Sequence, residues 1–209
     1  MSIQGGNITL AAHVMNQGIR AADWFMGSSD VTVAMLIPTG DPMLERYPKF
    51  EIFEGPEDDV LTRYYNAMLH YKADYVVRLT ADCAWMTSAM IHKCIHSAFK
   101  YGADYCSNVL VRTFAEGLDV EVLSSRLLGV LNKRVTSKMH REHVTSDIER
   151  MFHDGELPGF IFHTVFAEYD YSSLKTSIDT KEEYDRSNTM YNMLRSKREH
   201  ASLFGSISS

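Results

Sequence analysis

The stretch Tyr75-Val76-Val77-Arg78-Leu79-Thr80-Ala81-Asp82-Cys83-Ala84-Trp85 decides the fold. It opens as a run of strand formers and stops at Asp82. An apolar strand ending in a lone carboxylate presents that group at the carboxyl edge of an α/β sheet, where open sheets bind their ligands. Much later, Leu174-Lys175-Thr176-Ser177-Ile178-Asp179 repeats the design: a short strand, one Asp, then a helix. Asp82 and Asp179 are therefore candidates to converge on one divalent cation. Magnesium suits such a pair, since it takes one or two carboxylates and completes its shell with phosphate oxygens and water. Each Asp equally suits the N-cap of the helix that follows it, and periodicity does not choose between the two readings.

Outward from this stretch, strands alternate with helices. Downstream, Thr87 or Ser88 caps a helix to about Tyr101, and Gly102 ends it. Residues 103–109 read as a strand, 117–123 as a half-exposed strand, and 124–133 as a helix capped by Ser124. Residues 139–153 read as one amphipathic helix, 160–167 and 174–178 as strands, and 180–198 as the last helix. Upstream, 60–71 is a helix behind the acidic turn Gly55-Pro56-Glu57-Asp58-Asp59, and 50–53 and 31–37 are strands. Residues 38–48, with three prolines, read as loop, and 8–25 as a helix with Thr9 as N-cap. Residues 1–7 read as a turn or frayed end, 27–30 as punctuation, and 202–209 as a loose end. The pattern predicts a three-layer α/β domain. Its sheet is mostly parallel, with a small mixed addition at 117–123, in one domain over 1–209.

Composition narrows the function classes. With 209 residues, 45% of them hydrophobic, the chain can build one substantial core. A formal net charge of -6 argues against general binding to nucleic acid or anionic membranes. No apolar run approaches the roughly 20 residues that cross a bilayer, and no basic-then-apolar leader is visible. Cys83, Cys94 and Cys106 are odd in number and widely spaced, so they form no disulfide framework, and the cytoplasm is the expected compartment.

Other motifs carry chemistry less sharply. Asp119 and Glu121 share one face of a strand, because side chains alternate with period two. They suit sugar hydroxyls, a metal, or a solvated strand face. Their acid-any-acid spacing also resembles the metal motif of nucleotide-sugar glycosyltransferases. Arg141-Glu142-His143 suits an anionic substrate or a surface cluster. His92 and His96 resemble a zinc-protease helix, but Lys93 stands where that motif needs its Glu base. Neither a P-loop, nor a dinucleotide loop, nor a nucleophile elbow is present.

Five stretches in order carry a resemblance. They are Gly55-Pro56-Glu57-Asp58-Asp59-Val60-Leu61 with Arg63-Tyr64-Tyr65; Val77 to Cys83; Ser107-Asn108 with Arg112-Thr113-Phe114 and Gly117 to Val122; Arg141 to Thr145; and Ile178-Asp179-Thr180 with Glu182-Glu183. Together they resemble the cytidylyltransferase family of spore coat polysaccharide biosynthesis protein F, related to the enzymes that make CMP-activated acidic sugars. The match runs over about 50–186.

The resemblance implies a nucleotide-diphospho-sugar transferase fold, a Rossmann-like three-layer α/β/α sandwich. It also implies transfer of a cytidylyl group from CTP to a sugar or sugar acid with release of pyrophosphate. Asp82 and Asp179 match the family's magnesium carboxylates, with Ala84 and Lys181 standing where proline is usual. Asp119, Glu121, Arg141 and His143 would line the sugar side. Arg78 and the turn holding Asp59 would shape the nucleotide pocket. The resemblance leaves a homodimer open. The family's first strand and its basic, Gly-rich phosphate loop have no counterpart here, since Gly6 to Leu10 already resembles the segment after that loop. Two further readings therefore stand beside the enzyme: a sugar or nucleotide-sugar binding protein derived from this fold, and a glycosyltransferase using Asp119 and Glu121.

Overall fold

The computed structural model describes residues 2–3, 8–25 and 30–205. The expectations for 1, 4–7, 27–29 and 206–209 lie outside the described residues. Strand β1 (Ser2–Ile3) pairs antiparallel with β2 (Ile8–Thr9). Helix α1 (Leu10–Ala22) follows, capped as its sequence suggests: the Thr9 hydroxyl accepts the Ala12 N–H. After it come β3 (Ala34–Pro38), the short helix α2 (Met43–Arg46) and β4 (Glu51–Gly55). Helix α2 falls inside the expected loop, where the Asp41 carboxylate accepts the Met43 N–H at 2.8 Å and starts the turn. Then follow α3 (Val60–Tyr71), β5 (Tyr75–Arg78), α4 (Ser88–Tyr101), β6 (Tyr105–Ser107), β7 (Glu121–Ser124) and α5 (Ser125–Arg134).

Residues 139–153 are not one helix. They form α6 (Lys138–His143) and α7 (Ile148–His153), broken where Val144 takes a positive φ of 59°. Val144 is 1% exposed and packs with Ile148 and Met151 in one cluster, so the break falls at a buried residue and not in an exposed loop. Strand β8 (Phe162–Thr164) and helix α8 (Lys181–Gly205) complete the chain. The strand expected over 174–178 reduces to a single parallel bridge between Glu116 and Lys175.

The strands sort their side chains onto two faces with period two. Tyr75, Val77, Cys106 and Val122 face a cluster with Ala21 of α1 and Ile91, Cys94 and Ala98 of α4. Val76, Tyr105 and Leu123 face the opposite cluster, with Leu61 and Met68 of α3 and Leu127, Leu128 and Leu131 of α5. This is the three-layer sandwich. The mixed element enters the middle of the sheet: β7 runs antiparallel between β5 and β6, and β6 pairs parallel with β8. Strands β3 and β4 form a separate parallel pair. Two strands alone are marginal, and helices hold this pair to the rest. Met15 of α1 packs with Met35 and Ile37 on one side, and α3 touches both strands on the other. Among the described residues, the remaining edges of β3 and β5 have no ladder partner.

Gly117 ties the two loops beside the sheet's edge together. Its φ is +94°, and a Cβ built there would lie 2.2 Å from the Ser177 nitrogen. Gly117→Ala combines backbone strain with a clash against backbone, and should cost about 2–4 kcal/mol. The measurement is the urea midpoint; an unchanged midpoint would show that these loops do not meet.

Candidate active site

The connections that follow β4 and β5 carry the first site residues, Asp59 and Asp82. Around Asp82 the chain turns tightly: the Cys83 N–H donates to the Thr80 carbonyl at 3.2 Å and the Ala84 N–H to the Asp82 carbonyl at 3.0 Å. That same carbonyl accepts the Ile178 N–H at 3.1 Å. Asp179, the next residue, is thereby set beside Asp82. The two carboxylates differ in state. Asp82 is half-buried, and among the described residues no hydrogen bond or ion pair engages its side chain. The Asp179 carboxylate is 51% exposed and lies 2.7 Å from Lys175 Nζ.

Helix α8 begins with a capping box, which fixes Asp179 from below. The Thr180 hydroxyl accepts the Glu183 N–H at 3.2 Å, while Glu183 Oε2 accepts the N–H groups of Asp179 and Thr180 at 2.8 and 2.9 Å. Lys175 and these two N–H groups draw the Glu183 carboxyl down to about 2. The Thr180-x-x-Glu183 spacing is legible in the sequence as a helix start; its service to Asp179 is not. Glu116 was also missed: Ser177 Oγ donates to its carboxylate at 3.3 Å.

No group of three or more His, Cys, Asp or Glu side chains among the described residues is arranged to hold a metal. An open carboxylate with a second one on the adjoining backbone still fits magnesium, which leaves most of its shell to phosphate and water.

The other sequence candidates are engaged in the structure. Arg78 and Glu121 are cross-strand partners in the β5–β7 ladder. Arg78 Nη1 donates to Glu121 at 2.6 Å, and the Tyr105 hydroxyl donates to the other Glu121 oxygen at 2.7 Å. Burial opposes the charge on Arg78, but Glu121 outweighs it and raises its pKa. Its Nε is buried without a partner. Glu121 is 3% exposed, which corrects the expected half-exposed strand face: β6 and the helices of both layers enclose β7. Asp119 lies outside the strand and is held by both Nη atoms of Arg112, at 2.7 and 3.0 Å. The two acids therefore do not stand open together as a metal or sugar motif.

Arg141 is a structural hub. It donates to Asp59 at 2.8 Å, to the carbonyls of Asn132 and Val135, to the Thr62 hydroxyl and to the Asn132 side chain. Asp59 also caps α3 through the Thr62 N–H. His143 is exposed at the end of α6. The ring of His92 stacks near His96 and meets Trp24 edge-on. All three cysteines are buried, and burial pushes their thiols up to about 11 for Cys83 and Cys106 and about 12 for Cys94.

The chain is 24% identical to a cytidylyltransferase from Leptospira borgpetersenii, at a TM-score of 0.72 over 88% of this chain and 75% of that one. The chain has the fold of a cytidylyltransferase. A CMP:2-keto-3-deoxy-manno-octonic acid synthetase solved with CTP shares 9% identity at a TM-score of 0.63, covering 92% of this chain and 90% of that one.

Among relatives by sequence, spore coat polysaccharide biosynthesis protein SpsF of Bacillus subtilis is 25% identical over 68% of this chain and 57% of its own length. An uncharacterized protein of Methanocaldococcus jannaschii, MJ1063, is 36% identical over 45% of this chain and 37% of its own. The match thus spans little more than a third to just over half of these relatives. No family model matches the chain. The family resemblance read from the five stretches fits these relatives. Among the described residues no helix is long and apolar enough to cross a membrane.

The Asp59–Arg141 hub gives a pH test. Burial pushes the Asp59 carboxyl up, but hydrogen bonds from Arg141 and Thr62 outweigh it, and its pKa is lowered. A depressed folded-state pKa contributes stability that is complete above the unfolded value, near ~3.9, and lost as pH falls through the folded value. Asp59→Asn should therefore be less stable than the parent at about pH 7, with a shallower loss below about pH 4. Urea unfolding at both ends of that range measures it; parallel pH curves would remove Asp59 from the hub.

Proposed function

We propose that this chain is a nucleotidyltransferase of glycan or polysaccharide biosynthesis, moving a cytidylyl group from CTP to a sugar hydroxyl. The observation that supports the reading is the hydrogen bond from Ile178 to the Asp82 carbonyl, which brings the backbone before Asp179 against that of Asp82 in a cytidylyltransferase fold. The kinship with a spore coat polysaccharide protein and the likeness to a synthetase solved with CTP support the substrate class.

In the reaction, the sugar oxygen bonds to the α-phosphorus of CTP and the bond from that phosphorus to the bridging oxygen breaks. Pyrophosphate leaves with the bond electrons, and the hydroxyl proton passes to solvent. Asp82 and Asp179 would hold magnesium, which when bound offsets the charge on the phosphates and orients them. The chain's own part is positional. The capping box and Lys175 hold Asp179 in place, while the tight turn leaves Asp82 open. The buried Arg78–Glu121–Tyr105 chain stiffens the strand end directly before Asp82. The Arg112–Asp119 pair braces the loop beside it.

The test is CTP-dependent pyrophosphate release with a panel of sugar acids. Asp82→Asn should lower the rate by about 10²-fold or more. An unaltered rate in that variant overturns the metal assignment, and sugar binding without any CTP turnover would favour a binding protein derived from this fold.

A further inference from the structure

Two residues of α1 reach the turn that carries Asp82. His13 and Gln17 are four apart, so they lie on one stripe of the helix. The His13 ring lies beside the Ala84 backbone. Gln17 Oε1 accepts the Ser88 N–H at 3.0 Å, one of the free donors at the start of α4. Helix α1 lies directly against the end of β5 in between: a Cβ on Gly18 would meet Leu79 Cδ1 at 3.6 Å and Val33 Cγ1 at 3.2 Å. Burial and then Arg20 hold the His13 pKa below its ordinary value, which favours the neutral ring.

The segment from Asp82 to Ser88 is thus held from two sides. On one side the Asp82 carbonyl takes the Ile178 N–H; on the other, α1 holds Ala84 and Ser88. We propose that His13 and Gln17 are positioning residues, a clamp from α1 that fixes the 82–88 backbone and so aims the Asp82 carboxylate toward Asp179 and a shared divalent cation. This rests on the cation reading given above. Neither residue touches the cation or the substrate. Their effect comes from removing the freedom of a turn whose carboxylate has no other tether.

The experiment titrates the full chain with Mn²⁺ alone, followed by loss of the free-ion paramagnetic resonance signal. It compares the parent with Asp82→Asn, His13→Ala, His13→Gln and Gln17→Ala. Asp82→Asn should abolish binding. His13→Ala should weaken it about tenfold or more, the usual cost of removing a group that orients a metal ligand. His13→Gln, which keeps a donor, should recover most of the loss, with unchanged circular dichroism throughout. Should His13→Ala fail to fold, Gln17→Ala carries the same expectation. If His13→Ala and Gln17→Ala bind like the parent while Asp82→Asn does not, the clamp is overturned and the cation reading stands. If the parent does not bind, or Asp82→Asn binds equally well, the cation reading fails and takes the clamp with it.

Discussion

One backbone hydrogen bond, from the Ile178 N–H to the Asp82 carbonyl, organises the site. It joins a turn from the first half of the chain to the segment before its last helix. Without it the two Asp residues would be unrelated surface acids. Its strength as a single bond is ordinary, about 1 kcal/mol net. Its effect depends on the rigidity of what it joins. The Asp82 turn is closed by its own hydrogen bonds and leans on α1, and the Asp179 side is stiffened by a capping box and by the contact of Gly117 with Ser177.

Polar groups near this edge divide into those occupied by the fold and those left open. Glu121 has both oxygens bonded, Arg141 has five bonds, and Asp119 is held by Arg112. A buried charge must be paired and hydrogen-bonded to be tolerated, so the charges nearest the core are the ones used internally. Asp82 stands apart because it is both half-buried and unengaged among the described residues. A carboxylate left free beside a tightly held one is where an added ion gains most, since it displaces no buried partner from Asp82.

The sheet's architecture follows from the same separation of faces. Helices α1 and α4 cover one layer, α3 and α5 the other, and α1 and α3 also reach across to the separate β3–β4 pair. Because α1 spans both pieces, it sits against the end of β5 closely enough for His13 and Gln17 to reach the turn beyond. The helix that binds the halves of the sandwich therefore also contacts the candidate site.

The sequence alone determined what depends on local order. The alternation of strands and helices, the caps at Thr9, Thr87 and Ser124, and the carboxylate in the turn after β5 all follow from residues within a few positions of one another. Tertiary structure alone decided whatever depends on a distant partner. The 117–123 stretch reads as half-exposed because its acids alternate, yet it is enclosed because β6 pairs beside it. Residues 139–153 read as one helix because their apolar spacing is helical, yet the chain breaks at Val144, whose positive φ no local pattern announces. Arg141 and Glu121 read as substrate groups because a sequence shows a charge and not its counter-charge. Which charges are paired, and which one is left open, is settled by ladder register and helix packing, and neither is written in any local pattern.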